Sequence, residues 1–239
     1  MTVFCTRDLD HTGRRREIVL PLLGAMLFGI LLLGTPTAKA QSTLDRTDTQ
    51  QWNDVIFSIP ITKQIDFNFQ GTLRLGRDIS HPVDERVGLG ATFRIGKYLT
   101  LIPFYLRIET QPFEGRRAHE DRLNLVATLR FEKNKFRFSD RNLIERRLRV
   151  PQIDSTRYRN RFQIEHPVGP NRIKLSVFAS DEVFYDWSFN DWVRNRFASG
   201  IIKPLNRNIT LELYYLRQND RRTLPGDLHV IGTTWRIKL

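Results

Sequence analysis

Residues 65–75 read Ile-Asp-Phe-Asn-Phe-Gln-Gly-Thr-Leu-Arg-Leu. On an extended chain Ile65, Phe67, Phe69, Gly71, Leu73 and Leu75 share one side, and Asp66, Asn68, Gln70, Thr72 and Arg74 share the other. Side chains alternate across a strand with a period of two, whereas a helix would space apolar residues three and four apart. The stretch is therefore a strand with one apolar and one polar face. Its pattern recurs along the chain. Val87, Leu89, Ala91, Phe93 and Ile95 oppose Arg86, Gly88, Gly90, Thr92 and Arg94. Thr100, Ile102, Phe104, Leu106 and Ile108 oppose Leu101, Pro103, Tyr105, Arg107 and Glu109. Leu123, Leu125, Ala127, Leu129 and Phe131 oppose Arg122, Asn124, Val126, Thr128 and Arg130. Weaker copies cover 158–164, 173–179, 195–201, 209–215 and 231–239.

Repeated alternation over about ten residues per segment marks a barrel or sandwich. The connections add to this reading. Short turns at 61–64, 96–97, 132–135, 167–171 and 203–207 alternate with longer polar stretches at 77–84, 110–119, 148–156, 185–191 and 218–227. Membrane barrels place short periplasmic turns and longer external loops in that order. The expectation is all-β, an antiparallel up-and-down transmembrane β-barrel of about 10–12 strands over residues 52–239. Eleven strands would leave the chain start on the outer side, so residues 41–51 are read as a possible extra strand, making twelve, or as a thread through the lumen.

Alternation alone does not orient the faces. A soluble periplasmic lipocalin-like binding barrel, with its apolar face inside, is the rival. The strand number exceeds what side chains fill in a small soluble barrel. The polar face carries glycines and arginines rather than a Lys/Glu mix. Aromatics gather near strand ends as interfacial girdles do, with Tyr98, Phe136 and Trp235 by short turns and Trp52, Tyr158, Tyr185, Trp187 and Trp192 by longer ones. The stretch 136–147 fits least, since Asp140 and Asn142 share a face with Phe136 and Phe138; a bulge there would account for it.

The first forty residues read as a signal peptide. Arg14, Arg15 and Arg16 precede an apolar run from Ile18 to Leu33, and Ala38-Lys39-Ala40 supplies the small-x-small cleavage pattern. The run falls short of the roughly 20 residues a spanning helix needs. Gln41 rather than Cys follows, which excludes a lipoprotein, and the single cysteine, Cys5, lies in the removed part. The expected destination is the outer membrane. The whole chain carries +12; its first forty residues hold five basic and three acidic side chains, so +10 remains on the mature part. Export removes the nucleic-acid reading of that charge. The expected partners are outer-membrane lipid and glycolipid and the barrel assembly machinery, with the barrel a monomer.

With the apolar face on lipid, the lumen receives Arg74, Arg86, Arg94, Arg107, Arg122, Arg130, Arg137, Arg141, Arg147, Arg157, Arg159, Arg161, Arg194, Arg196 and Arg236. The acids on the same parity are Asp66, Asp84, Glu109, Glu120, Glu145, Glu165, Glu182 and Glu212. Guanidinium and carboxylate pair bidentately, and unpaired charge in a narrow lumen is costly. One reading is thus a structural, envelope-maintaining barrel held closed by Arg–acid ladders. The sharper one uses the positive surplus for a narrow anion-preferring pore. The hairpin 141–161, with Arg147, Arg149, Arg157, Arg159 and Arg161, is its best location, or a place to bind glycolipid phosphates outside the barrel.

No enzyme is expected. His81, His119, His166 and His229 sit in no serine-containing motif, and His119 and Ser139 differ in height. Neither a metal nor another cofactor is expected, because the histidines are scattered; Asp181, Glu182 and Asp186 read as a solvated rim rather than a calcium site.

The spacing Trp52-x-x-Val55-x-Phe57, the strand starts Glu85-Arg86, Glu120-Asp121-Arg122, Arg159-Asn160-Arg161 and Arg194-Asn195-Arg196, and the ending His229-Val230-Ile231-Gly232 together resemble the bacterial family DUF2490. The resemblance spans Trp52 to Leu239. It implies an outer-membrane barrel and transfers no functional residue. The chain departs from the common aromatic assembly signal of membrane barrels by finishing Trp235-Arg236-Ile237-Lys238-Leu239.

Overall fold

The computed structural model describes residues 46–169 and 174–239; the expected signal peptide lies outside the described residues. The strands are β1 (Thr47–Pro60), β2 (Ile65–Gly76), β3 (His81–Ile95), β4 (Leu99–Phe113), β5 (Arg116–Lys133), β6 (Phe136–Val150), β7 (Ser155–Val168), β8 (Leu175–Asp186), β9 (Asp191–Pro204), β10 (Ile209–Asp220) and β11 (Asp227–Lys238). Each pairs with its sequence neighbours and the sheet closes on itself. Closure leaves no unpaired strand edge, which a sheet in an apolar medium requires.

The closing seam departs from the expected antiparallel pattern. β1 and β11 run parallel, from Thr47 opposite Asp227 to Ser58 opposite Lys238. An odd count forces this: eleven alternating strands bring the first and last together pointing the same way. No twelfth strand exists among the described residues, since Thr47–Gln50 belongs to β1. The end where β1 and β11 start is termed upper, and the end where they finish lower.

Connection lengths do not divide as the sequence suggests. The upper connections are 77–80, 114–115, 151–154, 187–190 and 221–226, and the lower ones 61–64, 96–98, 134–135, 169–174 and 205–208. The long polar stretches are mostly polar extensions of strands, as where β4 and β5 continue to Phe113 and Arg116. Backbone pairing holds these ends extended, whatever their side chains. Asn134 and Lys135, both at positive φ, close the two-residue β5–β6 hairpin.

Outward positions on most strands are large and apolar. Phe67, Phe69, Val87, Leu89, Leu123, Leu125, Leu129, Phe162, Phe197, Leu213 and Ile231 all stand exposed. Inward positions carry charge. This inverted distribution needs an apolar surrounding and sets the fold against a soluble barrel. Tyr158, Tyr185, Trp187 and Trp192 form an outer aromatic cluster at the upper end, with ring centroids 5.4–6.5 Å apart. Trp52, expected in that girdle, instead points inward and is buried, because it stands opposite Arg74 and Gly232 on the lumen side.

β4 reverses the expected parity. Ile102, Phe104 and Leu106 line the lumen, and Arg107 and Glu109 face outward. Both faces of β4 are apolar over much of its length, so alternation could not choose between them. The partner strand decides: Gly90 pairs with Phe104 and Gly88 with Leu106. A Cβ on Gly88 would sit 2.6 Å from the Phe104 ring. The two glycines make room for that ring against the inner wall. Asp140 and Asn142 do face outward with Phe138, and β6 carries no bulge against either neighbour.

An arginine in the middle of the outward face should therefore be expelled by lipid. Leu125→Arg is expected to lower stability in lipid vesicles by about 2–4 kcal/mol in urea unfolding. A value near zero would show that this wall does not meet lipid.

Candidate functional site

The lumen is asymmetric along its axis. In its upper half, inward side chains are packed against one another. Glu145 is 1 % exposed and the ring of Phe184 fully buried. Asp186, Gln218, Asp220, Val230 and Leu228 complete the packed layer.

The charges in that layer pair in a continuous chain. Asp186 meets Arg147 at 3.5 Å, and Arg147 meets Glu120 at 2.6 Å. Glu120 accepts from Arg122 at 2.5 Å, and Arg122 reaches Glu145 at 3.6 Å. Glu145 also holds Arg157 and, at 3.4 Å, Arg159. Arg159 donates to Glu182 at 2.8 Å, which Arg141 reaches at 3.4 Å and Arg196 at 3.9 Å. To the sides, Asp84 binds Arg86 at 2.5 Å and Arg74 at 3.8 Å, and Asp220 binds Arg194 at 2.5 Å. Two aromatic rings fill the space between guanidiniums. Arg157, Arg159, Arg194 and Arg196 stand 4.5–5.4 Å from the centre of Phe184. Arg74 lies 3.6 Å and Arg196 4.8 Å from Trp52. The ring face attracts cations, and its bulk excludes water from the ion pairs.

Below this layer a cavity of about 1070 Å³ occupies the lower half. Its mouth lies among the lower turns, where the inward side chains of Arg137 and Arg236 are 48 % and 49 % exposed. Three ion pairs rim it: Arg94 with Asp66, Arg137 with Glu165, and Arg236 with Glu212 at 3.2 Å. Arg130 and Arg161 also face it, and they form no ion pair among the described residues. The barrel is a cup, filled above and open below.

Of the expected lumen residues, Arg74, Arg86, Arg94, Arg122, Arg130, Arg157, Arg159, Arg161, Arg194, Arg196, Glu165, Glu182 and Glu212 point inward. Arg107 and Glu109 do not. They pair with each other at 2.7 Å on the outer wall, where Arg107 also meets Asp121 at 2.9 Å. The arginines of the 141–161 hairpin turn into the barrel, except Arg146, which pairs outside with Asp154. Glycolipid phosphate binding by that hairpin on the outer wall therefore loses its donors. Asp181 faces outward while Glu182 and Asp186 face inward, so the three do not converge. Asp54, Asp186 and Asp220 are inward acids that the sequence reading missed: the strand ends of Asp186 and Asp220 read as loops, and no alternation was drawn for the strand of Asp54. Continuing the parity of Glu182 to Asp186, and of Glu212 to Asp220, would have found two of them.

Outside, Asp140 and Asn142 join Asn160 and Tyr158 in one hydrogen-bonded group. Asn160 donates to Asp140 at 2.6 Å, and Tyr158 to Asn142 at 2.5 Å. Their polar groups are thereby satisfied by each other just below the upper aromatics. His119 and Ser139 lie on opposite faces of the wall and form no dyad. Among the described residues no group of three or more His, Cys, Asp or Glu is placed to hold a metal ion.

A family model described as a protein of unknown function, DUF2490, matches residues 49–228. The chain belongs to that family. Its match covers all of β2 to β10, and so every strand of the ion-pair layer except the ends of the seam. Solved structures similar to this DUF2490 barrel include the NanC porin, at 10 % identity, 80 % of this chain, 96 % of that chain and a TM-score of 0.47. LpxR from Salmonella typhimurium is similar at 8 % identity, covering 73 % of this chain and 83 % of that one, with a TM-score of 0.48. The anion-selective porin from Comamonas acidovorans shows 13 % identity over 75 % of this chain, at a TM-score of 0.39. The chain spans about half, 53 %, of that porin's length. These likenesses concern the barrel architecture alone. No curated protein matches.

Removing a central acid strands several buried guanidiniums at once. Glu145→Gln is expected to cost about 3–5 kcal/mol in urea unfolding, and Glu212→Gln, at the wetter mouth, less than about 1 kcal/mol. Equal effects would mean that the upper layer is as hydrated as the mouth.

Proposed function

We propose that the protein is an exported, monomeric outer-membrane barrel with a closed lumen, serving a structural, envelope-maintaining role. The observation that carries this reading is the buried Arg–acid layer around Phe184, which fills the upper half of the lumen. A through-pore needs a continuous wet path, and this layer interrupts it with side chains paired to one another. The upper end faces outward in this reading, because the polar strand extensions cluster there above the aromatic girdle. The lower mouth then faces the periplasm. Outer-membrane lipid and glycolipid surround the wall, and the barrel assembly machinery inserts it.

One observation favours a second reading, the narrow anion-preferring pore: cationic side chains outnumber acids around the lower cavity. Ordering of the upper layer into an open state would complete such a path.

Planar-bilayer recording separates the two. The closed reading expects no steady openings from protein purified out of outer membranes. Steady anion-selective openings, reduced by Arg159→Glu, would overturn closure and establish the pore.

A further inference from the structure

The lower cavity holds two guanidiniums that form no ion pair among the described residues. Arg161 lies beside Arg141 on β6 and Glu182 on β8. The carboxylate of Glu182 is already shared by Arg159, Arg141 and Arg196. Arg161 has no ion pair among the described residues, and its Nε is buried without a hydrogen-bond partner. Arg130, two strands away, has none either. The charged groups acting most on it are the guanidiniums of Arg236, Arg161 and Arg94. Arg236 and Arg94 are occupied by Glu212 and Asp66. Most other inward arginines are met by an acid; Arg149, at the upper end, instead donates to the backbone carbonyl of Ile153.

A structural ladder gains nothing from two like charges facing one cavity, since an uncompensated buried guanidinium is costly. It is the arrangement that a bound dianion would complete. Guanidiniums grip phosphate oxygens bidentately, and two of them match two negative charges. The cavity is larger than a phosphate ion needs, and its volume of about 1070 Å³ lies just above the roughly 300–1,000 Å³ of sites for small organic ligands. Beside Arg130, Val126 on the same strand and Ile102 and Phe104 on the neighbouring β4 offer an apolar wall.

We infer that the lower half of the lumen is a binding site for a small organic phosphomonoester. Its phosphoryl group is held by Arg130 and Arg161, and its organic part rests on the β4 wall. The site opens at the lower mouth and ends at the ion-pair layer, so it binds without conducting. It rests on the closed-lumen reading only in that last respect.

The test uses the full barrel purified in detergent, titrated calorimetrically with phenyl phosphate, inorganic phosphate and phenol, alongside thermal unfolding without ligand. Phenyl phosphate is expected to bind one to one, inorganic phosphate more weakly, and phenol not at all. Arg130→Gln and Arg161→Gln should each weaken phenyl phosphate by about tenfold or more, the loss of one charge-assisted contact. Each should also raise the unliganded melting temperature, because it removes an uncompensated charge. The outward variant Arg107→Gln should bind as the parent does. Inorganic phosphate binding as tightly as phenyl phosphate would overturn the organic part of the proposal. Absence of binding by both phosphates, or variants that bind like the parent, would overturn the site. So would variants that melt lower than the parent. Bilayer recording is read separately: a conducting barrel that still binds would remove the closed lumen and leave the site standing.

Discussion

Charge that leaves water must meet opposite charge, and in this barrel that constraint governs the inside. The strands that make the wall deliver arginine after arginine to a lumen too narrow to hydrate them all. Glu145, at 1 % exposure, is the most enclosed of the acids that answer them. Arg122, Arg157 and Arg159 converge on it from β5 and β7, so one carboxylate ties neighbouring strands together across the inside. Phe184 stands among the guanidiniums that remain and takes the place of water. Pairing and packing therefore depend on each other: the ring dries the layer, and the dry layer makes each pair indispensable.

The outside follows from the opposite constraint. Closure leaves no unpaired strand edge, which frees the outward side chains to be apolar. The parallel seam between β1 and β11 is a consequence of the odd strand number and costs no hydrogen bonds of the ladder. Glycine and aromatic residues regulate the inner wall where charge is absent. Phe104 lies over Gly88 and Gly90, and Tyr214 stands between Gly200 and Gly232. In both places a side chain that would project into the lumen lies along the wall instead. The lower cavity keeps its volume because of this.

The axial asymmetry gives the molecule its functional character. Acids are concentrated in the upper half, and arginines continue below them. The upper half is thereby a plug made from the wall itself, without an inserted loop. The lower half is a wet, cationic recess with one apolar side. A wall-building role and a binding role are compatible in such a barrel, because they use different halves of one lumen.

Strand type, a strand number between ten and twelve and the two-faced wall were legible in the sequence, because a period of two survives wherever one face is charged and the other greasy, as in residues 65–75. The arginine inventory of the lumen followed from the same parity, and so did Glu145 and Glu182. β4 was not legible: Ile102, Phe104 and Leu106 alternate with Leu101, Pro103 and Tyr105, and only pairing with Gly88 and Gly90 chose the face. Trp52 was lost for a related reason, since an aromatic near a strand end suits a girdle or a core equally well. Asp186 and Asp220 read as loop residues because polarity hides a strand that is held by its neighbours' backbone. Which arginines form ion pairs, and that among the described residues Arg130 and Arg161 form none, was decided by tertiary structure alone. Parity assigns a side chain to the lumen, but only closure of the barrel sets which heights and which opposite walls come within reach of each other.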